Sequence, residues 1–188
     1  MARKPGSKSR ASRAIRREPA GKADNRVLDV TVVLLEDGYA STAIGPIEVF
    51  HSAGLLWNWL HGEAQQPRFR VRVASIDGGK VNSLCSVGLT PEFALRDIER
   101  TDIIILPASG WDMRDRIAQH TPLLSWLREW HARGAYIAGI CSGVGFLAEC
   151  GLLDGRQATT HWGVAAGDAR GLRFRRRDDR SLSRRRIQ

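Results

Sequence analysis

The chain of 188 residues has few cysteines and no long apolar run. Its three cysteines, Cys85, Cys141 and Cys150, are an odd number without a CxxC pair, which disfavours a disulfide scaffold or zinc module and favours a cytoplasmic protein. No apolar stretch approaches the ~20 residues of a membrane span, and none follows the basic N-terminus as a secretory signal requires. No His, Cys or acidic residues have metal-ligand spacing, so we expect no bound metal. We also expect no other cofactor.

Charge is distributed unevenly along the chain. Residues 1–26 contain nine Lys and Arg against two acidic residues, and residues 167–188 contain nine Arg against three Asp. The segment 27–166 has eleven basic and fifteen acidic residues, a net charge of −4, although the whole chain carries +9. A nucleic-acid-binding fold would carry its basic face on the folded part, so we expect no specific nucleic-acid binding.

The pattern of apolar residues predicts one α/β domain. Four runs rich in β-branched residues are typical of buried or half-buried strands, at 28–35, 69–77, 101–110 and 135–140. Helical segments are predicted between and after them, at 41–55, 122–134 and 143–153. This alternation predicts a doubly wound, mostly parallel sheet with helices on both faces. We assign the domain to residues 27–166 and interpret 1–26 and 167–188 as disordered basic tails.

Helix signals within two of these segments suggest which residues begin them and which face inward. Ser41 or Thr42 could cap the helix 41–55, and Pro46 must lie in its first turn or kink it. The helix 122–134 is the clearest, because four apolar residues recur at i, i+3, i+4 and i+7: Leu123, Trp126, Leu127 and Trp130.

Three loops follow predicted strands and are expected to meet in one crevice. They span 36–40, 107–113 and 141–145. In open parallel sheets, ligands bind beyond the carboxyl ends of the strands. The sequence therefore predicts a ligand site formed by these loops.

Cys141 lies in the pattern of a nucleophile elbow, with cysteine in place of serine. It stands in Gly139-Ile140-Cys141-Ser142-Gly143, between a predicted strand and a predicted helix. The flanking glycines would avoid clashes in a sharp turn. The N-terminus of the following helix favours an anion, so thiolate should accumulate and the backbone amides could hold an oxyanion. We therefore predict that Cys141 is a functional residue and the most reactive of the three thiols.

Three stretches of the chain resemble the ThiJ/PfpI superfamily. They are VTVVLLEDGYASTAIGPIEVF (30–50), DIIILPASG (102–110) and AGICSGVGFLAECGLLDGRQATTHW (138–162). The resemblance extends from Leu28 to about Trp162, and it is closest to the N-terminal domains of AraC-type transcriptional regulators and to isonitrile hydratases. It implies the flavodoxin-like fold of class I glutamine amidotransferases.

The chain departs from the superfamily pattern around the thiol. Peptidase-like members have His after the nucleophile, where this chain has Ser142, so a protease dyad is not expected. Many members have a carboxylate on the first helix, where this chain has Thr42, a poor general base. Glu36 could substitute, although its position is not the family's. The usual Gly-Gly turn is replaced by Ser109-Gly110, which retains one backbone donor for an oxyanion.

His161 lies twenty residues after Cys141 and has two interpretations. A Cys–His pair would suit nucleophilic catalysis. Alternatively, His161 and Trp162 close the end of the strand and shape the pocket, which we favour because regulator-like relatives carry the motif without established turnover. We expect the remaining histidines, His51, His61, His120 and His131, to lie at the surface or at its boundary with the core. The remaining cysteines, Cys85 and Cys150, are expected to be buried structural thiols.

The C-terminal segment 163–188 shows no amphipathic period. Related domains continue with a further strand and helix, and regulators then add helix-turn-helix units. We expect either a truncated product, read out of frame after about Gly163, or a genuine basic tail. Translation of the downstream DNA in the other two frames would separate these hypotheses.

Two classes of function follow. The first is a sensor domain of an AraC-type regulator that binds a small molecule and lacks the DNA-binding part. The second is a cysteine-dependent hydratase, amidase or lyase, and a weaker third hypothesis is a redox sensor. A homodimer is left open and no membrane contact is expected. Candidate catalytic residues are Cys141 and His161, and the candidate ligand contacts are Glu36, Thr42, Ser109, Gly110, Ser142 and Gly143.

Overall fold

The computed structural model describes residues 26–110 and 112–161. Its strands are β1 (Leu28–Val33), β2 (Phe69–Ser75), β3 (Val81–Asn82), β4 (Gly88–Leu89), β5 (Phe93–Ala94), β6 (Ile103–Leu106) and β7 (Tyr136–Gly139). Its helices are α1 (Ala40–Ser52), α2 (Leu56–Leu60), α3 (Met113–Gln119), α4 (Thr121–Ala132) and α5 (Val144–Glu149). The predicted tail 1–25 and the segment 162–188 lie outside the described residues.

Five parallel strands form the central sheet in the order β5-β2-β1-β6-β7, while β3 and β4 form a separate antiparallel hairpin. Val30 at the centre of the sheet pairs with Val71 on β2 and with Ile103 on β6. The strand order reverses between β1 and β6, which makes their carboxyl ends the expected ligand crevice. The predicted flavodoxin-like parallel sheet is confirmed.

Side chains of the sheet alternate between two hydrophobic cores. Val30 and Val32 pack on one face with Ala43 of α1, and Val33 and Leu35 belong to the other. The second core contains the buried side of α4 together with parts of α3 and α5: Met113, Leu123, Leu127, Trp130, Phe146 and Leu147. Helices therefore cover both faces of the sheet, as predicted.

The start of α1 differs from the prediction. The helix begins at Ala40, with Tyr39 as N-cap residue and no capping side chain. The Thr42 hydroxyl donates instead to the Tyr39 carbonyl at 2.7 Å. Because the helix starts early, Pro46 lies in its second turn, where the missing N–H leaves the Thr42 carbonyl without its usual intrahelical donor.

Two short helices were not predicted from the sequence. The helix α3 follows the β6 loop, and the Asp112 carboxylate caps it by accepting from the N–H groups of Arg114 and Asp115 at 3.1 and 3.3 Å. An N-cap aspartate is a recognisable signal, so α3 could have been found. The helix α2 has no buried residue and therefore no apolar period for sequence analysis to detect.

A buried carboxylate anchors the amino-terminal edge of the sheet. Asp29 is 3% exposed and forms ion pairs with three arginines, Arg72 at 2.8 Å, Arg100 at 3.2 Å and Arg70 at 3.5 Å. Its backbone N–H donates to Asp102 at 2.8 Å. Burial alone would raise the pKa of Asp102, but this N–H and nearby arginines outweigh it and lower the pKa below its ordinary value. The cluster holds β1, β2 and β6 together at this edge.

Within the described part of the chain, none of the helices combines the length and apolar character that crossing a membrane would require.

Candidate functional site

The loops after β1 and β6 are joined at the point where the strand order reverses. The Tyr39 N–H donates to the Ala108 carbonyl at 2.9 Å, and the Gly110 N–H donates to the Asp37 carbonyl at 3.1 Å. An ion pair between Arg116 and Asp37 reinforces this junction. The first two of the three predicted loops therefore meet here. The expectation that Ser109-Gly110 keeps a free backbone donor for an oxyanion was wrong, because the Gly110 N–H is bonded to Asp37 and the Ser109 N–H to Ser142.

Cys141 follows β7 directly and begins a 3₁₀ turn (Cys141–Gly143) that leads into α5. Its side chain is exposed, and its φ of 55° lies in a region that non-glycine residues rarely adopt. Backbone strain of this kind is concentrated at functional sites. The strand–turn–helix context and the strained backbone support the predicted role of Cys141.

Two glycines allow the chain to turn this sharply. A Cβ at Gly139 would lie 2.9 Å from backbone atoms of Val144. A Cβ at Gly143 would lie 2.5 Å from the Pro107 carbonyl oxygen and 2.6 Å from that of Leu106. Both residues are therefore required by close backbone contacts, and Gly143 seats the turn against the end of β6.

Ser142 joins the turn to the β6 loop through a reciprocal pair of hydrogen bonds. Its hydroxyl accepts from the Ser109 N–H at 3.0 Å and donates to the Ser109 carbonyl at 2.9 Å. The side-chain hydroxyl of Ser109 is itself fully buried and has no hydrogen-bond partner among the described residues. The structure thus brings Cys141, Ser142, Gly143, Ser109 and Gly110 into one neighbourhood.

Ser142→Ala and Ser109→Ala are expected to change stability in opposite directions. Ser142→Ala leaves two buried backbone groups of Ser109 unpaired and should lower the free energy of unfolding by about 2 kcal/mol. Ser109→Ala removes an unsatisfied hydroxyl and should be neutral or stabilising by up to about 1 kcal/mol. Urea unfolding of both variants measures the difference, and equal losses would contradict the assigned hydrogen bonds.

Thr42 stands where many members of the superfamily that the sequence resembles are expected to have a carboxylate, and its side chain is engaged with the backbone. Its hydroxyl donates to the Tyr39 carbonyl at 2.7 Å and accepts from the Ala108 N–H at 3.0 Å. It therefore ties α1 to the β6 loop. A hydroxyl held in this way serves the geometry of the crevice better than proton transfer.

Glu36 is bound to the β3–β4 hairpin. Its carboxylate accepts from the Asn82 N–H at 2.9 Å and from the Asn82 side-chain amide at 3.3 Å. The Asp37 N–H also donates to the Asn82 carbonyl at 2.8 Å. Glu36 thus has a structural partner, and its contact with a ligand stays a prediction.

The segment that carries His161 returns to the turn at Cys141. The Thr160 hydroxyl donates to the Cys141 carbonyl at 2.8 Å, and His161 is the next residue and is partly buried. Thr160 stands in the Ala-Thr-Thr-His-Trp motif, but its role in fastening this segment was not predicted. The catalytic role of His161 stays a prediction, and Trp162 lies outside the described residues.

Two expectations about individual residues were wrong. Cys85 is exposed, because it lies in the short connection between β3 and β4 rather than in a core strand. His120 is only 5% exposed, since it joins α3 to α4 and contacts the Phe146 ring edge-to-face at 5.9 Å. Cys150 is buried as expected.

Iodoacetamide should discriminate among the three thiols near neutral pH. Burial raises the pKa of Cys150 to about 11 from an ordinary 9.0, so we expect its alkylation to be at least ~100-fold slower than that of an exposed thiol. Cys85 is the matched control for Cys141, because both are exposed and only Cys141 precedes a helix. Peptide mass mapping gives the rates, and faster labelling of Cys85 would contradict the predicted activation of Cys141.

No three His, Cys, Asp or Glu side chains within residues 26–110 and 112–161 are arranged to hold a metal ion.

Comparison with known proteins identifies a family, and relatives that include a transcriptional regulator and an enzyme. The DJ-1/PfpI family model matches residues 29–171. The HTH-type transcriptional regulator CdhR of Pseudomonas aeruginosa is 36% identical over 94 residues, which are 50% of this chain and 27% of the regulator. Isonitrile hydratase of Pseudomonas putida is 29% identical over 99 residues, 53% of this chain and 42% of the hydratase.

A solved structure supports the same fold. The AraC family transcriptional regulator from Pseudomonas putida superposes with a TM-score of 0.59 at 21% identity, over 76% of this chain and 71% of that chain. Because the chain spans 27% of the regulator and 42% of the hydratase, the activities of those whole proteins are not attributed to it.

Proposed function

The chain belongs to the DJ-1/PfpI family, and from this premise we propose that residues 27–166 form a small-molecule sensor domain of the AraC-type regulator branch, with the ligand bound beside Cys141. This branch is supported by the similarity to the regulator CdhR. The proposal places the domain in the cytoplasm, in keeping with three free thiols.

The single observation that carries this proposal is that both hydrogen bonds of the Thr42 hydroxyl are made to backbone groups. This hydroxyl is held between the Tyr39 carbonyl and the Ala108 N–H. The resemblance implies a carboxylate at this position in many members of the superfamily. Cysteine-dependent catalysis on a small molecule needs a group that moves a proton at the reacting atoms. Thr42 instead supplies fixed hydrogen bonds that join two backbone segments, so this position holds the loops in place and transfers no proton.

The buried hydroxyl of Ser109 supports ligand binding. A buried polar group without a partner destabilises a fold by about 1–3 kcal/mol, and such groups in native proteins call for an explanation. Because Ser109 is 0% exposed, a ligand oxygen or nitrogen would provide the partner only once the β6 loop opens to admit it. The backbone of Ser109 is also hydrogen-bonded to the side chain of Ser142, the residue that follows Cys141 in the sequence.

A metabolite screen by thermal shift tests the sensor proposal. A ligand bound only by the folded state raises Tm, and we expect a hit to stabilise the wild-type chain. Cys141→Ala and Ser109→Ala should reduce that shift, whereas Tyr136→Ser, an exposed substitution on β7, should not. Hits that stabilise all four proteins equally would place the ligand elsewhere.

The second candidate is a cysteine-dependent enzyme resembling isonitrile hydratase. It is favoured by the exposed, strained Cys141 at the end of β7 and by the similarity to the hydratase. Steady-state assays on isonitriles and 2-oxoaldehydes, with Cys141→Ala as control, separate the two functions. We expect no turnover above the control, and Cys141-dependent turnover would overturn the sensor proposal.

A further inference from the structure

One ion pair lies at the junction of the loops that follow β1 and β6. Arg116 of α3 donates through its Nη1 to the carboxylate of Asp37, which follows β1. The next residue, Gly38, forms a β-bridge with Ser109 of the β6 loop. Since Ser109 is hydrogen-bonded to the turn that begins at Cys141, the ion pair belongs to the same group of loops as the thiol.

The two partners of this ion pair differ in their access to water. The Arg116 side chain is 19% exposed, whereas that of Asp37 is 44% exposed. The stem of Arg116 lies beside Gly110, where an added Cβ would be 3.3 Å from its Cδ. If the pair separates, water can therefore hydrate the carboxylate, but the guanidinium stays largely desolvated and needs another anion.

The Arg116 guanidinium has donors left for such an anion. It carries five N–H donors in a planar fork. Within residues 26–110 and 112–161, the fork donates to Asp37 alone. Two parallel N–H bonds to one carboxylate provide both affinity and orientation. Arg116 can therefore bind a carboxylate from a ligand in place of the carboxylate that it binds now.

The acidic side chains of the three loops do not compete equally for this cation. The loops contain three acidic residues, Glu36, Asp37 and Asp112, and no Lys, Arg or His. Glu36 accepts from Asn82, and the Asp112 carboxylate caps α3. Asp37 is thus the carboxylate that a ligand has to displace from Arg116.

The buried hydroxyl of Ser109 is a second sign of a ligand at the same loop. It is fully buried and has no partner among the described residues. The following residue, Gly110, donates its N–H to the Asp37 carbonyl. Separation of Asp37 from Arg116 removes one of the contacts that keep the β6 loop closed, and so favours exposure of the Ser109 hydroxyl to a ligand.

We propose that the ligand of this crevice carries a carboxylate, which replaces Asp37 as the partner of Arg116. The inference rests on the proposed sensor function and adds the chemical class of the ligand. The present partner of Arg116 is itself a carboxylate, so the site already fits that group. Asp37 then acts as an internal competitor, because the apparent affinity falls with the fraction of molecules in which the ion pair is closed.

NMR titration of the full chain tests the proposal with three small carboxylates and their neutral amides at constant ionic strength. The probes are acetate, propionate and benzoate, against acetamide, propionamide and benzamide. We expect the carboxylates to shift the backbone amide signals of Gly38, Ser109 and Gly110, and the neutral amides to leave these signals unchanged. The dependence of the shifts on probe concentration gives Kd for each variant.

Two substitutions should change the Kd of benzoate in opposite directions. Arg116→Gln removes the cation and should raise Kd at least ~10-fold. Asp37→Asn removes the competitor and should lower Kd about 5-fold. Asparagine tolerates the left-handed backbone of Asp37, whose φ is 54°, so the loop should keep its shape. An ion pair with a purely structural role would weaken binding in both variants.

The matched controls make the same charge changes in the exposed ion pair of α4. Arg133→Gln and Glu129→Gln alter the net charge as the two test variants do, and both should leave the Kd of benzoate unchanged. Equal effects of the control and test variants would overturn the proposal. The dispersion of the amide signals shows in each case that the variant is folded.

Three further results would overturn the proposal: no carboxylate binding by either the wild-type chain or Asp37→Asn, amides that bind as tightly as carboxylates, or inorganic phosphate that displaces benzoate from Arg116. The sensor function fails separately. A neutral metabolite whose Tm shift survives Arg116→Gln would overturn the carboxylate class and leave the sensor function standing. Arg116-dependent carboxylate binding without any hit in the metabolite screen would support the anion site and count against the sensor.

Discussion

Asp29→Ala is expected to lower the free energy of unfolding by about 4 kcal/mol. The carboxylate is 3% exposed and pairs with Arg70, Arg72 and Arg100. Without it, three like charges remain close together, and Arg72 is the least able to reach water because its side chain is only 23% exposed. The cost comes mainly from Arg72, which stays largely desolvated without its partner, since Arg70 and Arg100 are 63% and 55% exposed and reach water.

The matched control is Glu129→Ala, which removes an exposed ion pair with Arg133 on α4. Both partners of that pair are 55% exposed, so we expect a change of at most about 0.5 kcal/mol. Urea is the appropriate denaturant, because guanidinium chloride would screen the ion pairs. A loss below about 1 kcal/mol for Asp29→Ala would show that the arginines find other partners, contrary to the assigned cluster.

Gly143→Ala should cost about 3 kcal/mol, because the added Cβ meets the carbonyl oxygens of Leu106 and Pro107 at 2.6 and 2.5 Å. Both obstacles are backbone atoms, so no side-chain rotation relieves the clash. The φ of Gly143 is −55°, which alanine adopts without strain. The predicted loss therefore comes from contact with the end of β6 alone.

Gly62→Ala separates this clash from backbone strain. Gly62 has a φ of 67°, and a Cβ added there would have no atom of the described residues within 4 Å. Alanine at this position therefore adds only the strain of the left-handed conformation, about 1 kcal/mol. Urea unfolding under identical conditions gives both values. Equal losses would mean that the turn at Cys141 yields easily and that the thiol is not held rigidly.

The main strands follow from local composition. The runs that contain β1 and β6 are rich in Val and Ile, and burial between two helical layers leaves such runs little choice of structure. The run of β7 was expected to be buried as well, but its residues are half-buried or exposed because β7 is the last strand at one end of the described sheet. The turn at Cys141 was equally visible, since glycines surround it between a strand and a helix. By contrast, α2 escaped detection because it buries no residue and has no period to reveal it.

The partners of the site residues could not be predicted from the sequence. Ser142 bonds to Ser109 across 33 residues, and Thr42 bonds to Ala108 across 66. Composition and periodicity report on the conformation of neighbouring residues, whereas these hydrogen bonds exist only because β1, β6 and β7 lie side by side. The sequence determined the strand and helix order and the position of the thiol. Tertiary packing decided that the Thr42 hydroxyl accepts from the Ala108 N–H and that Glu36 is held by Asn82, because these partners are far apart in the sequence. It also decided that the Ser109 hydroxyl is buried without a partner among the described residues.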